Sequence, residues 1–282
     1  MKHHTYEVVR NSNHNYLVDL YDITPSVHSV YGVFEIDVTD ALNIIREFSD
    51  KSTYHGMLQG WIVKCFAKAV EDTKKVQAFA SLLLPHKLLV FDEVDIYIVI
   101  ENHKKKGRRV FPYIIREANT RSVDEIQAEI LTAKDTNVQN SIQKRFQNKK
   151  FFTFYYSLPI FLRRLFFRRY RRNPLYCKKN AGTIGITNKD LFGKIRLNPL
   201  TVGMHTIDFA LGGTMKKLDV VNEIVELRDV LKVSVLFNQK IIDGTVVNRF
   251  ISRLKDLMKQ KFSLVEAEPF IQKTAKKPIP LE

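Results

Sequence analysis

Apolar and polar positions alternate along several stretches of the chain, and the period of the alternation assigns the elements. From Val30 to Val38 the run VYGVFEIDV alternates in the manner of a half-buried strand. It leads into ALNIIREF, a predicted helix with Thr39 or Asp40 as its cap. Between His55 and Asp72 the residues Leu58, Trp61, Ile62, Cys65, Phe66 and Ala69 recur at helical spacing, which places Lys64 and Lys68 on the outer side. LLVF and VDIYIVIE read as strands. Ser122, followed three residues later by Glu125, is a capping-box pattern that starts a helix at SVDEIQAEILTAKD. Helical character continues with interruptions toward Arg145.

Three further strand-like runs, GTIGIT, MHTIDFALGG and VLKVSVLFN, are separated by Gly, Pro, Asn or Asp. In the last of them Leu231, Val233, Val235 and Phe237 share one face, and period two places Gln239 on that face as well. Asp243-Gly244 then turns the chain into TVVNRFISRLKDLMKQKF. There Val246, Val247, Phe250, Ile251, Leu254, Leu257 and Met258 form one apolar stripe. With no internal repeat and no long Gly/Ser/Pro linker, residues 1–282 are expected to form a single domain. The tail from Glu266 onward, rich in lysine and proline, is expected to be loose.

Composition narrows the class. A chain of 282 residues with 45% hydrophobic and 11% aromatic residues can bury a sizeable core. It contains no run of 18 apolar residues, and MKHHTYEVVRNSNHN lacks the apolar centre of a secretory signal, so a soluble, cytoplasmic protein is expected. Cys65 and Cys177 have no CxxC spacing, which points to neither a disulfide framework nor a zinc site. The net charge of +15 attracts polyanions of any kind. Part of it is concentrated in FLRRLFFRRYRRNP, which holds Arg163, Arg164, Arg168, Arg169, Arg171 and Arg172.

The order of elements and several strings resemble the catalytic domain of the dihydrolipoamide acyltransferases of 2-oxoacid dehydrogenase complexes, whose fold is shared with chloramphenicol acetyltransferase. The resemblance runs from about Val30 to Phe262. VFEIDVTDALNIIRE is similar to the family's opening strand and helix, and VDIYIVIENHKKKGRRVFPYIIREANTRSVDEIQAEI to its middle segment. GTIGITNKDLFG resembles the family string G-T-F-T-I-S-N-L-G-M-F-G, and FNQKIIDG falls on the signature D-H-R-x-x-D-G. The fold this implies is α/β, a mixed β-sheet covered by helices. The resemblance also implies coenzyme A or an acyl-CoA as substrate, no metal, and a homotrimer or multiple of three with each site shared between subunits. No lipoyl or subunit-binding domain is expected in this chain, because only about 30 residues precede the first family strand.

One departure governs the functional expectation. Gln239 stands where the family has the histidine that deprotonates a thiol, Asn238 replaces the preceding Asp, and Lys240 replaces the Arg; Asp243 and Gly244 are retained. A general base must titrate near neutral pH, as imidazole does and a carboxamide does not. Thr187 aligns with the family serine whose hydroxyl stabilises the tetrahedral oxyanion, and its hydroxyl can donate the same bond. Lys189-Asp190 replaces a Leu-Gly pair beside it. By resemblance Asp243 is a structural acid organising the turn, and Gly244 allows close backbone approach. The expected site is therefore Gln239, Asp243 and Thr187, in an acyltransferase relative with weakened or lost catalysis, a pseudoenzyme.

Each feature also has an ordinary reading. Gln239 can be a buried polar residue satisfied by its neighbours, and Thr187 a plain β-former. His28, His103 and His205 lie outside the signature, where a lone histidine is usually solvated or structural. Pro159 and Pro174 delimit the Arg-rich helix, whose arginines fall nearly all round it. The favoured reading of that helix is a structural element at a subunit border. Attachment to an anionic membrane surface comes second, and nucleic-acid binding third, because no nucleic-acid motif accompanies the charge. The alternative for the whole chain is a non-enzymatic binding or scaffold subunit that keeps the fold.

Overall fold

The computed structural model describes residues 29–48, 54–80, 88–102, 109–135, 157–159, 161–162, 165, 173–187, 203–221 and 223–264. The Arg-rich segment from Arg163 to Arg172, apart from Leu165, the Lys189-Asp190 loop, His28, His103 and the tail from Glu266 lie outside them. The elements are β1 (Ser29–Asp37), α1 (Thr39–Phe48), α2 (Tyr54–Asp72), β2 (Phe79–Ala80), β3 (Leu88–Leu89), β4 (Ile96–Asn102) and β5 (Arg109–Ile115), then α3 (Val123–Asp135), α4 (Pro174–Ala181), β6 (Ile184–Thr187), β7 (Ile207–Val221), β8 (Ile224–Asn238) and α5 (Gly244–Lys259).

Six strands form one sheet in the order β1-β8-β7-β6-β4-β5. β6 runs parallel to both β7 and β4, whereas β1–β8, β7–β8 and β4–β5 are antiparallel, so the sheet is mixed as expected. Alternation along β8 sends Leu231, Val233, Val235 and Phe237 into a single core that also takes side chains from α1, α2, α3 and α5. At its centre the rings of Phe66, Phe209 and Phe250 pack with centroids 4.8 Å apart for Phe66–Phe209 and 5.3 Å for Phe209–Phe250. Trp61 is fully buried and donates its indole N–H to the Phe262 carbonyl at 3.1 Å, which ties the end of the chain's last described turn to α2.

The capping box of α3 is formed in both directions: Ser122 N–H donates to Glu125 Oε2 at 3.1 Å and Glu125 N–H to Ser122 Oγ at 3.2 Å. At α1 the structure differs from expectation. Asp37 receives both the Thr39 N–H (3.0 Å) and the Thr39 hydroxyl (2.6 Å), and Thr39 Oγ1 in turn accepts from Asp229 N–H at 2.7 Å. Lys64 does not face away from the core. It is 8% exposed, and its Nζ donates to the Asn119 carbonyl at 2.8 Å. Burial holds its pKa below the ordinary lysine value, with the like charge of Lys68 adding to the shift and Glu71 opposing it. Cys65 is fully buried on α2, and burial pushes its thiol pKa far up.

Pro174 opens a helix rather than only closing one. Asn173 accepts the Tyr176 N–H at 3.1 Å and Pro174 sits in the first turn, the arrangement a missing proline N–H permits. The C-terminal end of α4 is fastened to the start of β4. Arg116 donates to the carbonyls of Lys178 (2.9 Å) and Lys179 (2.5 Å) and to buried Asp95 at 2.7 Å, while Asp95 also takes the Glu117 N–H at 3.0 Å. Gly182 then turns with φ 82°, where a Cβ would lie 2.6 Å from the Asp95 carbonyl, so a glycine is required. These contacts launch β6 in register with β4 and β7.

Candidate active site

The cluster Asn238-Gln239-Lys240 is a turn. β8 ends at Asn238, whose N–H donates to the Thr206 carbonyl at 2.9 Å and whose carbonyl receives Ile241 N–H (3.0 Å) and Ile242 N–H (3.1 Å). The Asn238 side chain accepts Lys240 N–H at 3.0 Å, an Asx turn. Strand periodicity therefore stops one residue before Gln239. Gln239 is exposed in the single chain, not carried by the strand into the buried face, and the reading of a buried, internally satisfied glutamine fails with it.

Asp243 is the N-cap of α5, accepting Val246 N–H at 2.9 Å. That is the local reason the chain turns into a helix there, and the capping hydrogen bond accounts for the turn without an ion pair. Gly244 is not needed for close approach within the chain, since a Cβ there would meet nothing within 4 Å.

Thr187 closes β6, partly buried and paired with Ala210, which pairs in turn with Ser234 on β8. Gln239 lies five residues beyond Ser234 on a strand that runs the opposite way to β6. At about 3.4 Å per residue the strand carries the chain roughly 14 Å along the sheet from Ser234 to Asn238, before the Gln239 turn begins. One chain thus does not bring Thr187 and Gln239 to a common reacting atom, and Asp243 lies on the Gln239 side.

The sheet end nearest Gln239 holds a constellation that sequence reasoning leaves unassigned. His205 Nδ1 lies 2.6 Å from Asp208 Oδ1, His205 Nε2 lies 2.9 Å from the Ala181 carbonyl, and His205 N–H donates to Asp208 Oδ2 at 3.0 Å. The His205 side chain is 1% exposed. Both ring nitrogens face acceptors, so only the doubly protonated imidazolium satisfies both. Burial of the ring favours its neutral form, but the Asp208 charge, its hydrogen bond and the Ala181 carbonyl outweigh burial and hold the pKa above the ordinary histidine value. Gly185 and Gly203 make the room: a Cβ on either would overlap the Asp208 carboxylate. The pair clasps the end of α4, β6 and the approach to β7 together. It lies directly before Thr206, the residue that holds Asn238. Enclosed in this way, His205 is a structural group and does not stand in for the base that Gln239 lacks. The only signal in the sequence is a His and an Asp three apart next to glycine-containing runs.

Among the described residues no group of His, Cys, Asp and Glu is placed to hold a metal ion, and no helix is long and apolar enough to cross a membrane.

A six-stranded mixed sheet in this order, with its helices packed on a common core, is the chloramphenicol acetyltransferase-like fold; chloramphenicol acetyltransferase itself superposes with a TM-score of 0.50 at 9% identity, over 89% of this chain and 99% of that one. Within that class the fold is that of the catalytic cores of 2-oxoacid dehydrogenase acyltransferases. A probable dihydrolipoamide acetyltransferase from Listeria monocytogenes matches with a TM-score of 0.62 at 14% identity, covering 91% of this chain and 95% of that chain. The dihydrolipoamide acetyltransferase of Azotobacter vinelandii, for which a serine, a histidine and an asparagine have been investigated in the catalytic mechanism, matches with a TM-score of 0.61 at 13% identity over 88% of each chain. Neither a family model nor a curated protein matches the sequence.

Proposed function

We propose that this chain is a relative of the 2-oxoacid dehydrogenase acyltransferases that binds coenzyme A or an acyl thioester, with transfer weakened or lost because Gln239 occupies the place of the general base. The carrying observation is the fold together with what stands at the end of β8: a carboxamide with no titratable pair near neutral pH. In the Azotobacter enzyme the investigated histidine and asparagine lie four positions apart, the spacing of Gln239 and Asp243, and the investigated serine corresponds by string resemblance to Thr187. Losing a general base forfeits roughly 10²–10⁴ in rate. Binding and positioning remain.

The strand register supports a site shared between subunits of a homotrimer. Thr187 and Gln239 are too far apart in one chain to serve one thioester, and an exposed Gln239 is available to a neighbour. In this reading Thr187 supplies the oxyanion donor and the partner's Gln239 faces the thiol. The protein works in the cytoplasm and needs no metal.

The scaffold reading is favoured by one observation: His205, which the described residues place at this end of the sheet, is locked to Asp208 and Ala181. Calorimetric titration with coenzyme A separates the two. Saturable heat lost in Gln239→Trp supports a retained ligand site, and the absence of any binding to coenzyme A or acetyl-CoA overturns it.

A further inference from the structure

Gln239 is an exposed side chain on a backbone that is held from both sides. In the turn after β8, Gln239 and Lys240 are exposed, whereas Ile242 is 3% exposed and belongs to the core. On the helix side Asp243 caps α5, and α5 is fastened to the end of α2 by Arg253, which donates to Asp72 at 2.7 Å. On the strand side the turn hangs from Asn238, whose carbonyl receives Ile241 N–H and Ile242 N–H. Asn238 N–H in turn donates to the Thr206 carbonyl at 2.9 Å.

Thr206 is 3% exposed, and its hydroxyl donates to the Ala78 carbonyl, 128 residues away in sequence. That acceptor is itself fixed. Ala78 closes the 3-10 turn Lys74–Gln77 by donating its N–H to the Lys75 carbonyl at 3.1 Å. The turn continues α2 through Thr73, whose hydroxyl donates to the Ala69 carbonyl at 2.7 Å. Gln77, fully buried, donates its side-chain N–H to the Phe91 carbonyl at 2.7 Å and ties the same turn to a second segment. On the other flank, His205 and Asp208 enclose Thr206 within their own clasp. β7 begins only at Ile207, so Thr206 lies just outside the ladder and its side chain, not the sheet, sets its placement.

We propose that Thr206 is a positioning residue for the Gln239 turn: its hydroxyl fixes its backbone on Ala78 and thereby aims the carbonyl that holds Asn238. The inference rests on the functional reading above, in which the side chain presented by this turn faces the thiol. Removing the hydroxyl takes a donor from a buried carbonyl and leaves the strand end free to shift. A shift of about 1 Å at a reacting group costs up to roughly 10² in rate, so the tie governs chemistry as well as local order.

The test uses the full chain and two readouts. Amide hydrogen exchange, expressed as protection relative to the unfolded chain, is measured by NMR in the wild type, Thr206→Val, Thr206→Ser and Thr206→Ala, the last avoiding any crowding by valine. The expected result is a roughly tenfold loss of protection at Asn238, Ile241 and Ile242 in Thr206→Val and Thr206→Ala. Phe209 and Val233 in the core keep theirs, and Thr206→Ser behaves like the wild type. Unchanged protection in the turn, a loss spread evenly over turn and core, or a serine variant no better than alanine would each overturn the proposal. The same substitutions are then placed in Gln239→His and assayed for acyl transfer from acetyl-CoA to dihydrolipoamide. There Thr206→Val should lower kcat by about 10–100-fold with KM for acetyl-CoA unchanged, and Thr206→Ser should restore it. Transfer that is equally fast with valine and serine would overturn the positioning role. No transfer in any chain, with the exchange result intact, would overturn the acyl-transfer reading alone and leave Thr206 as the anchor of the turn.

Discussion

Asp208→Asn removes the carboxylate from the His205 clasp while keeping its shape. The imidazolium loses a charge-assisted bond at 2.6 Å in a place where its side chain is 1% exposed, so little solvent screens the interaction. Breaking a buried pair from one side costs about 3–5 kcal/mol; the imidazole can shed its proton, which places the expected loss near the lower end, about 3 kcal/mol. For a chain of this size about 1 kcal/mol corresponds to roughly 2–4 °C, so the melting temperature should fall by about 6–12 °C. The pH dependence carries the sharper signature. His205 binds its proton more tightly folded than unfolded, because the Asp208 charge outweighs the burial that acts against it. Its contribution is then fully present below the unfolded value near 6.5 and is lost as pH rises through the raised folded value. Wild type should lose stability on that alkaline side, by about 1.4 kcal/mol for each unit of the raising, and Asp208→Asn should lose that part of the slope. Chemical denaturation followed by circular dichroism across this range measures both. A wild-type profile that is flat there, with a variant melting within about 2 °C of it, would refute the imidazolium–carboxylate assignment.

Gly185→Ala attacks the same clasp from the neighbouring strand, since its Cβ would overlap the Asp208 carboxylate; we expect a loss of about 2–4 kcal/mol in urea unfolding, as for overpacked or disrupted buried sites. Asp243→Ala removes the cap of α5 and should cost about 1 kcal/mol in the same assay, with Asp243→Ser recovering most of it, because the effect is a hydrogen bond to Val246 N–H rather than chemistry.

Most of the sheet and its helices were legible because their signals are local. Alternation marks β1 and β8, a stripe marks α5, and Ser122 with Glu125 marks the start of α3. Elements whose signals depend on distant partners were not. Pro174 reads as the stop of a preceding helix, yet Asn173 makes it the start of α4. The far ends of β7 and β8 carry KK, D, E and RD among their apolar residues, and only their mutual pairing and the ion pairs to Glu35 and Asp37 identify them as strands. Lys64 reads as outward from its helical position, but Asn119, 55 residues away in sequence, supplies a buried acceptor. At the site, the signature string singles out Gln239, Asp243 and Thr187, whereas period two overextends β8 by one residue. Asn238 ends the strand by bonding its own turn. The His205 clasp joins Ala181, Gly185, Gly203 and Asp208, positions whose proximity exists only once β6 and β7 lie side by side.

The central claim, that Gln239 occupies the place of a lost general base, is tested most directly by measuring acyl transfer from acetyl-CoA to dihydrolipoamide in the wild type, Gln239→Ala and Gln239→His. The account predicts little or no turnover in the wild type, an equally low rate in Gln239→Ala, and a gain in Gln239→His of up to the roughly 10²–10⁴ that a positioned base supplies, abolished again by adding Thr187→Val. Robust wild-type turnover that is unchanged in Gln239→Ala would contradict it, because catalysis would then run without the residue at the end of β8.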